Sequence, residues 1–437
     1  MKNQLPRLTI EEQTMDSVAN LNQDAFGNTL PQTEAPFKFN VFDPAFHEDP
    51  YPFYDRLRRE SPIYRNFMGA WVFTRYSDIK SILRDRRFRV LDKPGWIKNK
   101  NRYLTPDQGN FDALVRSSSK FFFFLEPPDH GRLRGLITKA FSASFVDRLR
   151  PHVEATLADL LGKVREQGAM DIMADLACPL PAIVIARLIG VPAADYARLG
   201  HLSDELARIF DPVISLEGYL HLNAVVEEFG SYFLDLVAEH KRQPGTDLID
   251  SLIAAQEEGN RLSEEEVVAV CMQLFAGGEE TTVNLIGNGM LALLTHPEQL
   301  ELLRSKPEII AGAVEELLRY DSSIQLVARA AIEDIEIEGC TIGAGEHVHL
   351  YLGAANRDPA QFFDPHSLDL TRVDNRHLAF GDGIHHCFGG PLARVEGQVV
   401  FQTLVQQFPK LRLAESRRPE RREGTLLRGL KTLPVTF

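Results

Sequence analysis

The sequence predicts a mainly α-helical fold with a minority of short β-strands, and three patterns indicate it. Residues 144–255 carry apolar side chains at helical spacing in successive segments. Residues 263–295 form one long helical pattern which, at about 1.5 Å per residue, would span roughly 45 Å. Residues 332–338 and 347–351 alternate polar and apolar side chains, which is typical of β-strands with one buried face.

The composition excludes several classes of protein. The chain has 437 residues, of which 44% are apolar and 25% charged, as in an ordinary globular protein. A net charge of −13 argues against nucleic-acid binding. The four cysteines are far apart without a CxxC pair, which argues against a disulfide framework or zinc site and predicts a reducing, cytoplasmic location. No apolar run reaches about 18 residues, so no membrane helix is expected.

The amino-terminal part of the chain predicts an arm followed by a folded domain. Residues 1–36 are polar, rich in Asn, Gln and Thr, and predict a flexible arm, so that the domain covers residues 37–437. Residues 49–57 predict the first helix, and short strands are expected on either side of a turn at Gly69.

Residues 89–120 show no clear period and contain Trp96 together with several Lys and Arg. We expect a long loop here, and a loop of this length in a compact domain is more often functional than idle. A solvated insertion is the alternative interpretation.

The long helix begins with a capping box and has an unusual middle. Ser263 caps the helix while the Glu266 side chain reaches back, and His296 and Pro297 end it. Gly277 and Gly278 lie inside it, where each costs about 1 kcal/mol against Ala. Two acids and two threonines follow at residues 279–282. We infer that a ligand shapes this part of the helix, the alternative being a packing pair of glycines beside exposed acids.

The segment of residues 380–390, Phe-Gly-Asp-Gly-Ile-His-His-Cys-Phe-Gly-Gly, carries the strongest signal. Gly381 and Gly383 allow positive φ and a tight turn. Pro391 suits the first turn of a helix, where its missing N–H costs nothing. Cys387 would then precede a helix N-terminus, whose positive dipole end favours a thiolate. Such a thiolate is a metal ligand or a nucleophile, whereas an isolated Cys is most often a buried small hydrophobe.

This segment resembles the haem-binding signature of the cytochrome P450 family, Phe-Gly-x-Gly-x-His/Arg-x-Cys-x-Gly, at every fixed position. Three further motifs are similar to that family in order and spacing: Gly-Gly-x-Glu-Thr-Thr at residues 277–282, Glu-x-x-Arg at residues 316–319, and Arg372. The resemblance runs from about residue 40 to the C-terminus. It implies a single domain, mainly α with small antiparallel β-sheets, of the soluble bacterial type.

The resemblance implies haem b with Cys387 as the axial iron ligand and a set of surrounding haem contacts. These contacts would come from His130, Arg134, Gly277, Gly278, Arg329, Phe380, Gly381, His385 and Gly389. The glycine pair would widen a groove for dioxygen, in which Glu280 and Thr281 deliver protons. Glu316, Arg319 and Arg372 would form a structural network.

The resemblance also implies a monooxygenase that inserts one oxygen atom of dioxygen into a small-molecule substrate. Expected substrate contacts are Trp96, Phe275, Ile324, Leu326 and Leu427, with residues 205–222 as a lid. Electrons would come from NAD(P)H through a separate ferredoxin or flavodoxin with its reductase. We expect this donor to dock on the Cys387 side through Arg132 and Arg394, and we expect a monomer without a membrane partner.

Two other functions remain open. The first is a peroxide-driven peroxygenase, against which the intact acid–threonine pair argues, because family members of that type often lack it. The second is a haem-binding or sensing protein without turnover. The basic character of residues 89–120 permits an anionic or carrier-tethered substrate.

Overall fold

A computed structural model describes residues 39–105, 108–141, 146, 148–211, 214–257 and 260–437. The predicted arm, residues 1–36, lies outside these described residues. Val41–Phe437 form one compact unit, and Phe39 and Asn40 belong to the segment before it. In the part of the chain that the structure describes, no helix is long and apolar enough to cross a membrane.

Helices dominate the unit, as the sequence predicts. The α-helices, in chain order, are α1 Pro44–Glu48, α2 Tyr51–Glu60, α3 Tyr76–Arg84, α4 Lys93–Lys100, α5 Asp112–Ser118, α6 Asp129–Ala140, α7 Arg150–Val164, α8 Pro179–Ile189, α9 Tyr196–Ala207, α10 Leu216–Arg242, α11 Leu248–Ala254, α12 Glu264–Gly278, α13 Glu280–Thr295, α14 Pro297–Ser305, α15 Ile310–Tyr320, α16 Leu352–Ala355 and α17 Gly390–Gln407.

The strands are short. They are β1 Ile63–Arg65, β2 Trp71–Phe73, β3 Phe88–Arg89, β4 Ala169–Asp171, β5 Gln256–Glu257, β6 Asn260–Arg261, β7 Leu326–Ala331, β8 Ile335–Ile337, β9 Cys340–Ile342, β10 His347–Tyr351, β11 Arg412–Leu413, β12 Glu420–Arg421, β13 Leu430–Thr432 and β14 Pro434–Thr436.

The largest sheet has five strands in the order β1-β2-β10-β7-β3. Its pairs are antiparallel except β2–β10, which is parallel, so this sheet is mixed rather than purely antiparallel. A three-stranded sheet, β11-β14-β4, and the pairs β12–β13, β5–β6 and β8–β9 are antiparallel.

The main hydrophobic core surrounds α12, α13 and α17. Apolar side chains of α12 are buried on all sides, as expected of a helix that runs through the middle of a core. A second, smaller cluster lies between α3 and the five-stranded sheet. The helix that follows Cys387 is therefore packed beside the helix that carries the acids and threonines.

Two expectations need correction. Residues 89–120 are not one long loop, because they contain β3, α4, a 3-10 turn at Asn101–Tyr103 and α5. Asp92 caps α4 by accepting a hydrogen bond from the Gly95 N–H at 2.9 Å. The sequence analysis missed this capping residue because residues 89–120 show no clear hydrophobic period. The helix of residues 263–295 is two helices, since ψ of Glu279 is −72° and separates α12 from α13.

Candidate active site

The loop before α17 is shaped by two left-handed glycines. Gly381 and Gly383 have φ of 68° and 72°. A Cβ at Gly383 would lie 2.3 Å from the Leu83 carbonyl oxygen at the end of α3, whereas a Cβ at Gly381 would meet nothing within 4 Å. The Cys387 N–H donates to the Phe380 carbonyl at 2.8 Å and closes the loop. Positive φ and a close approach of two backbones therefore require glycine at position 383.

The Cys387 thiol is exposed on one side and crowded by protein on the others. Burial raises its pKa, while the N–H groups of Gly389 and Gly390 donate to the sulfur and, with Arg134 and Arg394, lower it. In the free thiol the net shift of the pKa is upward, toward the protonated form. A metal cation replaces such a proton, because a coordinating thiol is deprotonated outright. The two donated hydrogen bonds then stabilise the anionic sulfur.

Three nitrogen-bearing side chains beside this loop have few or no hydrogen-bond acceptors. The rings of His130 and His385 lie 4.3 Å apart, and the Nε2 atom of each is buried without a hydrogen-bond partner among the described residues. Arg329 is buried and donates to the neighbouring Ala328 carbonyl at 2.8 Å. Burial lowers its pKa to about 10, opposed by the Glu126 carboxylate. Buried donors of this kind require acceptors, and they fit the two carboxylates of a haem.

Glu126 is a residue that the sequence analysis missed. Its Oε1 accepts the Val90 N–H at 2.7 Å and lies 3.8 Å from His385 Nε2, which is too long for a hydrogen bond. Burial raises the pKa of Glu126, but His385, the Val90 N–H and Arg329 outweigh burial and the net shift is downward. The carboxylate therefore balances part of the positive charge that Arg329 brings into the interior.

Arg134, one of the predicted haem contacts, lies against the Cys387 loop. Its Nη2 donates to the His386 carbonyl at 2.7 Å, so the guanidinium supports the backbone of the Cys387 loop. Burial lowers the pKa of Arg134, and the electrostatic influence of Cys387 opposes this shift. In this structure Arg134 connects α6 to the loop.

The break between α12 and α13 is stabilised by side-chain hydroxyls. Thr281 Oγ1 donates to the Gly277 carbonyl at 2.9 Å, and Ser323 Oγ donates to the Thr281 carbonyl at 2.8 Å. A Cβ on Gly278 would lie 2.4 Å from Cδ1 of Ile185 on α8, so a larger residue here would displace that side chain. A Cβ on Gly277 would lie 3.0 Å from Phe123 and would crowd that ring.

The acids at the break have different surroundings. Glu280 forms an ion pair of 3.0 Å with Arg422, from the segment after β12. Burial raises the Glu280 pKa in spite of Arg422. Glu279 is buried, and burial followed by the charge of Asp204 on α9 raises its pKa to about 8. Arg422, Asp204 and the burial of Glu279 had no signal in the sequence, because helix packing and a distant segment bring them together.

The predicted substrate residues divide into two groups. Ile324 and Leu427 form an isolated antiparallel bridge, and Leu326 begins β7 two residues after Ile324. Trp96 is partly exposed on α4 and lies 5.3 Å from His347 of β10, so α4 borders the same sheet. Phe275 is fully buried.

The burial of Phe275 has a simple physical origin. Its ring lies 5.8 Å from Phe229 and 6.0 Å from Phe233, both on α10 and both fully buried. The three rings form an aromatic cluster that attaches α12 to α10, which is a core function.

The predicted structural network is present in the geometry. Glu316 and Arg319 are fully buried and joined by two hydrogen bonds of 2.7 Å. Arg372 Nε adds a third to Glu316 at 3.1 Å. Arg319 also donates to the carbonyls of Asn356 and Pro365, so it fixes the chain before the Cys387 loop.

The two arginines expected to attract an electron donor are already paired. Arg132 is bound to Glu266 at the start of α12. Arg394 lies 2.7 Å from Glu315 of α15. Each arginine therefore forms an ion pair with a carboxylate of the same protein, while its side chain stays 33% exposed.

Comparison with known proteins gives a consistent result. The family model described as Cytochrome P450 matches residues 30–436. A "Biotin biosynthesis cytochrome P450" of Bacillus subtilis is 40% identical over 397 residues, which are 90% of this chain and 97% of that protein. The "Polyketide biosynthesis cytochrome P450 PksS" of the same organism is 37% identical, covering 91% of this chain and 98% of the relative.

A solved structure of P450BioI in complex with a hexadec-9Z-enoic acid ligated acyl carrier protein is similar throughout. Its TM-score is 0.82 at 40% identity, with 90% of this chain and 99% of that chain covered.

Proposed function

The chain belongs to the cytochrome P450 family, and on that premise we propose that it inserts one oxygen atom of dioxygen into a small organic substrate. The observation that carries this proposal is the environment of Cys387, an accessible thiol whose sulfur accepts two backbone N–H groups. Haem b is the cofactor of the family, with electrons from NAD(P)H delivered through redox partners.

Cys387 would ligate the haem iron, and His130, His385 and Arg329 would bind the haem carboxylates. When bound, the haem supplies the activation of dioxygen, and thiolate ligation favours O–O cleavage. The residues of the chain hold this group in place, set its surroundings and exclude water. The unpartnered Nε2 atoms of both histidines support this assignment, since a carboxylate satisfies them.

Thr281 and Glu280 would deliver protons to the oxygen site. Thr281 donates a hydrogen bond from its hydroxyl to the Gly277 carbonyl, which leaves its oxygen free to accept a hydrogen bond from water or from the protonated Glu280 carboxyl. Glu280 is one quarter exposed and bound to Arg422, so it reaches water on one side. Replacing Thr281 by Ala is expected to divert reducing equivalents from product to hydrogen peroxide.

Ile324, Leu326 and Leu427 would form the apolar wall against which the substrate lies, with Trp96 at the edge. Support comes from the bridge between Ile324 and Leu427 and from Ser323, which attaches this segment to Thr281. Enlarging Leu427 to Trp should weaken substrate binding, measured as the shift of the haem absorption band, while haem content stays unchanged.

The electron donor, a ferredoxin or flavodoxin, would dock on the outer face of the Cys387 loop, with the enzyme as a monomer. His386 and Ile384 are exposed on that face, and Ile384 is 43% exposed although apolar. Ile384→Asp should slow the reduction of the haem by a surrogate ferredoxin pair, whereas Arg132→Gln should not. Equal reduction rates in Ile384→Asp and the wild type would contradict this docking face.

A second candidate is a carrier-tethered acyl substrate, favoured by the complex of the relative with an acyl carrier protein and by the basic surface at α4. Lys98, Lys100 and Arg102 have no carboxylate at ion-pair distance within the described ranges. Carrier-linked hexadecenoyl chains should shift the haem band at lower concentration than the free acid. Lys98→Glu with Arg102→Glu should weaken only the carrier-linked form, about tenfold, and Lys163→Glu on α7 is the control.

The test of the proposed function is the consumption of NAD(P)H with a surrogate ferredoxin and reductase. Consumption that depends on substrate, with product formed from dioxygen, is expected. Turnover with hydrogen peroxide alone, and none with the electron donor, would instead establish the peroxide-driven alternative. Haem binding without turnover under either condition would establish a binding or sensing protein.

A further inference from the structure

The helix break carries a second carboxyl, Glu279, immediately before the acid of the proposed acid–threonine pair. Glu279 is 8% exposed and its Oε2 has no hydrogen-bond partner among the described residues. Its other oxygen faces α9, where Ser203 donates to the carboxyl and a Cβ on Gly200 would lie 3.8 Å away. A buried carboxylate oxygen without a partner costs about 1–3 kcal/mol or more, so the neutral acid is the favoured form.

The charges around Glu279 come from three elements besides its own. Asp204 of α9 and Arg422 of the C-terminal segment act on it, as does Glu280, the next residue along the chain. Cys178, before α8, belongs to the same cluster, since its pKa responds to Arg422, Asp204 and Glu279. Asp204 is exposed to solvent, Glu279 is buried and Glu280 lies at the proposed oxygen site. Glu279 is thus the most buried of the three carboxyls, beside the exposed Asp204 and beside Glu280, whose side chain is 24% exposed.

We propose that Glu279 is a relay residue that acts through Glu280, passing protons from water at Asp204 to the acid–threonine pair. The O–H bond of the Glu279 acid breaks as an O–H bond forms on the Glu280 carboxylate. Glu279 is then reprotonated from solvent by way of Asp204, so each cycle moves one proton from Asp204 to Glu280. Glu280 passes it on within the acid–threonine pair, and the acids return to their starting states. No oxidant or reductant is needed. The inference rests on the proposed monooxygenase function and deepens it.

Arg422 gives the relay its direction. Its Nη1 lies 3.0 Å from Glu280 Oε1, and this cation lowers the pKa of Glu280 against the effect of burial. Arg422 also lowers the pKa of Glu279, but it is the smallest of five influences on that pKa, after burial, Asp204, Ser203 and Glu280. Glu280 is therefore the carboxyl more readily ionised and Glu279 the one that keeps its proton, which is the order of a donor and an acceptor.

A purely structural function for Glu279 does not explain its free oxygen. Glu316, the structural acid of this protein, is saturated by Arg319, Arg372 and Asn375. Glu279 also lies at the break between α12 and α13. The groups around it include more carboxyls than cations, an arrangement that the fold does not require. Both features are expected of a group that must exchange a proton.

The test compares Glu279→Gln with Glu205→Gln, since Glu205 lies next to Asp204 on α9 and is paired with His221. Glutamine keeps the shape and the bond from Ser203 but cannot release a proton. We expect Glu279→Gln to lower the product formed per NAD(P)H roughly tenfold, to raise the solvent deuterium isotope effect, and to leave haem content and substrate binding unchanged. Glu205→Gln should resemble the wild type, and Asp204→Asn should give a smaller loss.

A second readout does not depend on turnover. An infrared band of a protonated carboxyl should titrate with a midpoint near pH 8 in the wild type and in Glu205→Gln, and be absent from Glu279→Gln. Product per NAD(P)H should fall in the wild type above that pH. An unchanged isotope effect and coupling in Glu279→Gln would overturn the relay. A wild type without thiolate-ligated haem would overturn the proposed function instead, while the infrared titration would still report the state of Glu279.

Discussion

Two ion pairs, Glu316–Arg319 and Glu280–Arg422, show how differently the same chemistry is used in this molecule. Glu316 and Arg319 are fully buried, contact through both carboxylate oxygens, and bind further backbone and side-chain groups. Glu280 and Arg422 share a single contact of 3.0 Å, and their side chains are 24% and 38% exposed. The first pair is saturated and the second is open to water.

The difference indicates where the protein is rigid and where it exchanges protons. Removing one partner of a buried and fully hydrogen-bonded ion pair costs a large free energy, so this pair fixes the chain around the Cys387 loop. A half-exposed pair is screened by solvent and contributes little to stability. The weak pair lies at the helix break beside Thr281, where the proposed chemistry needs an acid that can change its protonation state.

The largest effect should come from breaking the buried pair. Glu316→Gln leaves the Arg319 charge buried without its counter-ion, and we expect a loss of about 3–5 kcal/mol in the free energy of unfolding. Urea denaturation followed by circular dichroism measures it. Glu228→Gln, which removes a pair with Arg198 at the surface, is the control and should unfold like the wild type. Similar urea midpoints for Glu316→Gln and Glu228→Gln would show that the buried pair contributes no more to stability than the surface pair.

A partly buried ion pair, that of Glu315 with Arg394, should give a stability difference that depends on pH. Burial raises the pKa of Glu315, but His377 and Arg394 outweigh it and hold the pKa at about 2. Because this pKa lies below the unfolded value, the stabilisation is present above pH 4.5 and is lost as the pH falls toward 2. Glu315→Gln should cost about 3 kcal/mol at pH 7. The difference in the free energy of unfolding between this variant and the wild type, measured by urea titration, should become smaller below pH 4.5. A difference that does not change with pH would contradict the stabilising contribution of ionised Glu315.

The comparison extends to the backbone of the Cys387 loop. Gly381 and Gly383 both have positive φ, which costs a residue with a Cβ about 1–2 kcal/mol. Only at position 383 would the Cβ also meet a backbone atom, the Leu83 carbonyl. Gly383→Ala should therefore lose haem on gel filtration more readily than Gly381→Ala. Equal haem retention would show that the contact with α3 does not hold the loop.

The smallest effect on stability should come from the open pair. Arg422→Gln should change the free energy of unfolding by less than about 1 kcal/mol. It removes the cation that lowers the Glu280 pKa, so the pH dependence of product formation should move to higher pH. A thermal melt measures the effect on stability, and a rate–pH profile of the same preparation measures the effect on the Glu280 pKa. A large loss of stability with an unmoved profile would make this pair structural.

Local rules in the sequence predicted much of this arrangement. The capping box of Ser263 and Glu266 is present at the start of α12, and Gly381 and Gly383 have the positive φ inferred for them. Each depends on residues within a few positions of one another. The ψ of Glu279 that ends α12 was not predicted, because helical periodicity continues through residues 263–295.

Contacts between distant segments were beyond sequence reasoning. Arg422 meets Glu280 across 142 positions, and Arg132 meets Glu266 across 134. Phe275 has the residue type of a substrate contact, but packing of α12 on α10 buries it. The motifs located the site, whereas the charges that adjust it depend on tertiary packing.

The carbon monoxide difference spectrum of the reduced protein tests the central claim, that the Cys387 sulfur ligates the haem iron. The account predicts the red-shifted absorption band of a thiolate-ligated haem in the wild type and its loss in Cys387→Ser. A wild type without that band, or a Cys387→Ser protein that retains it, would contradict the account.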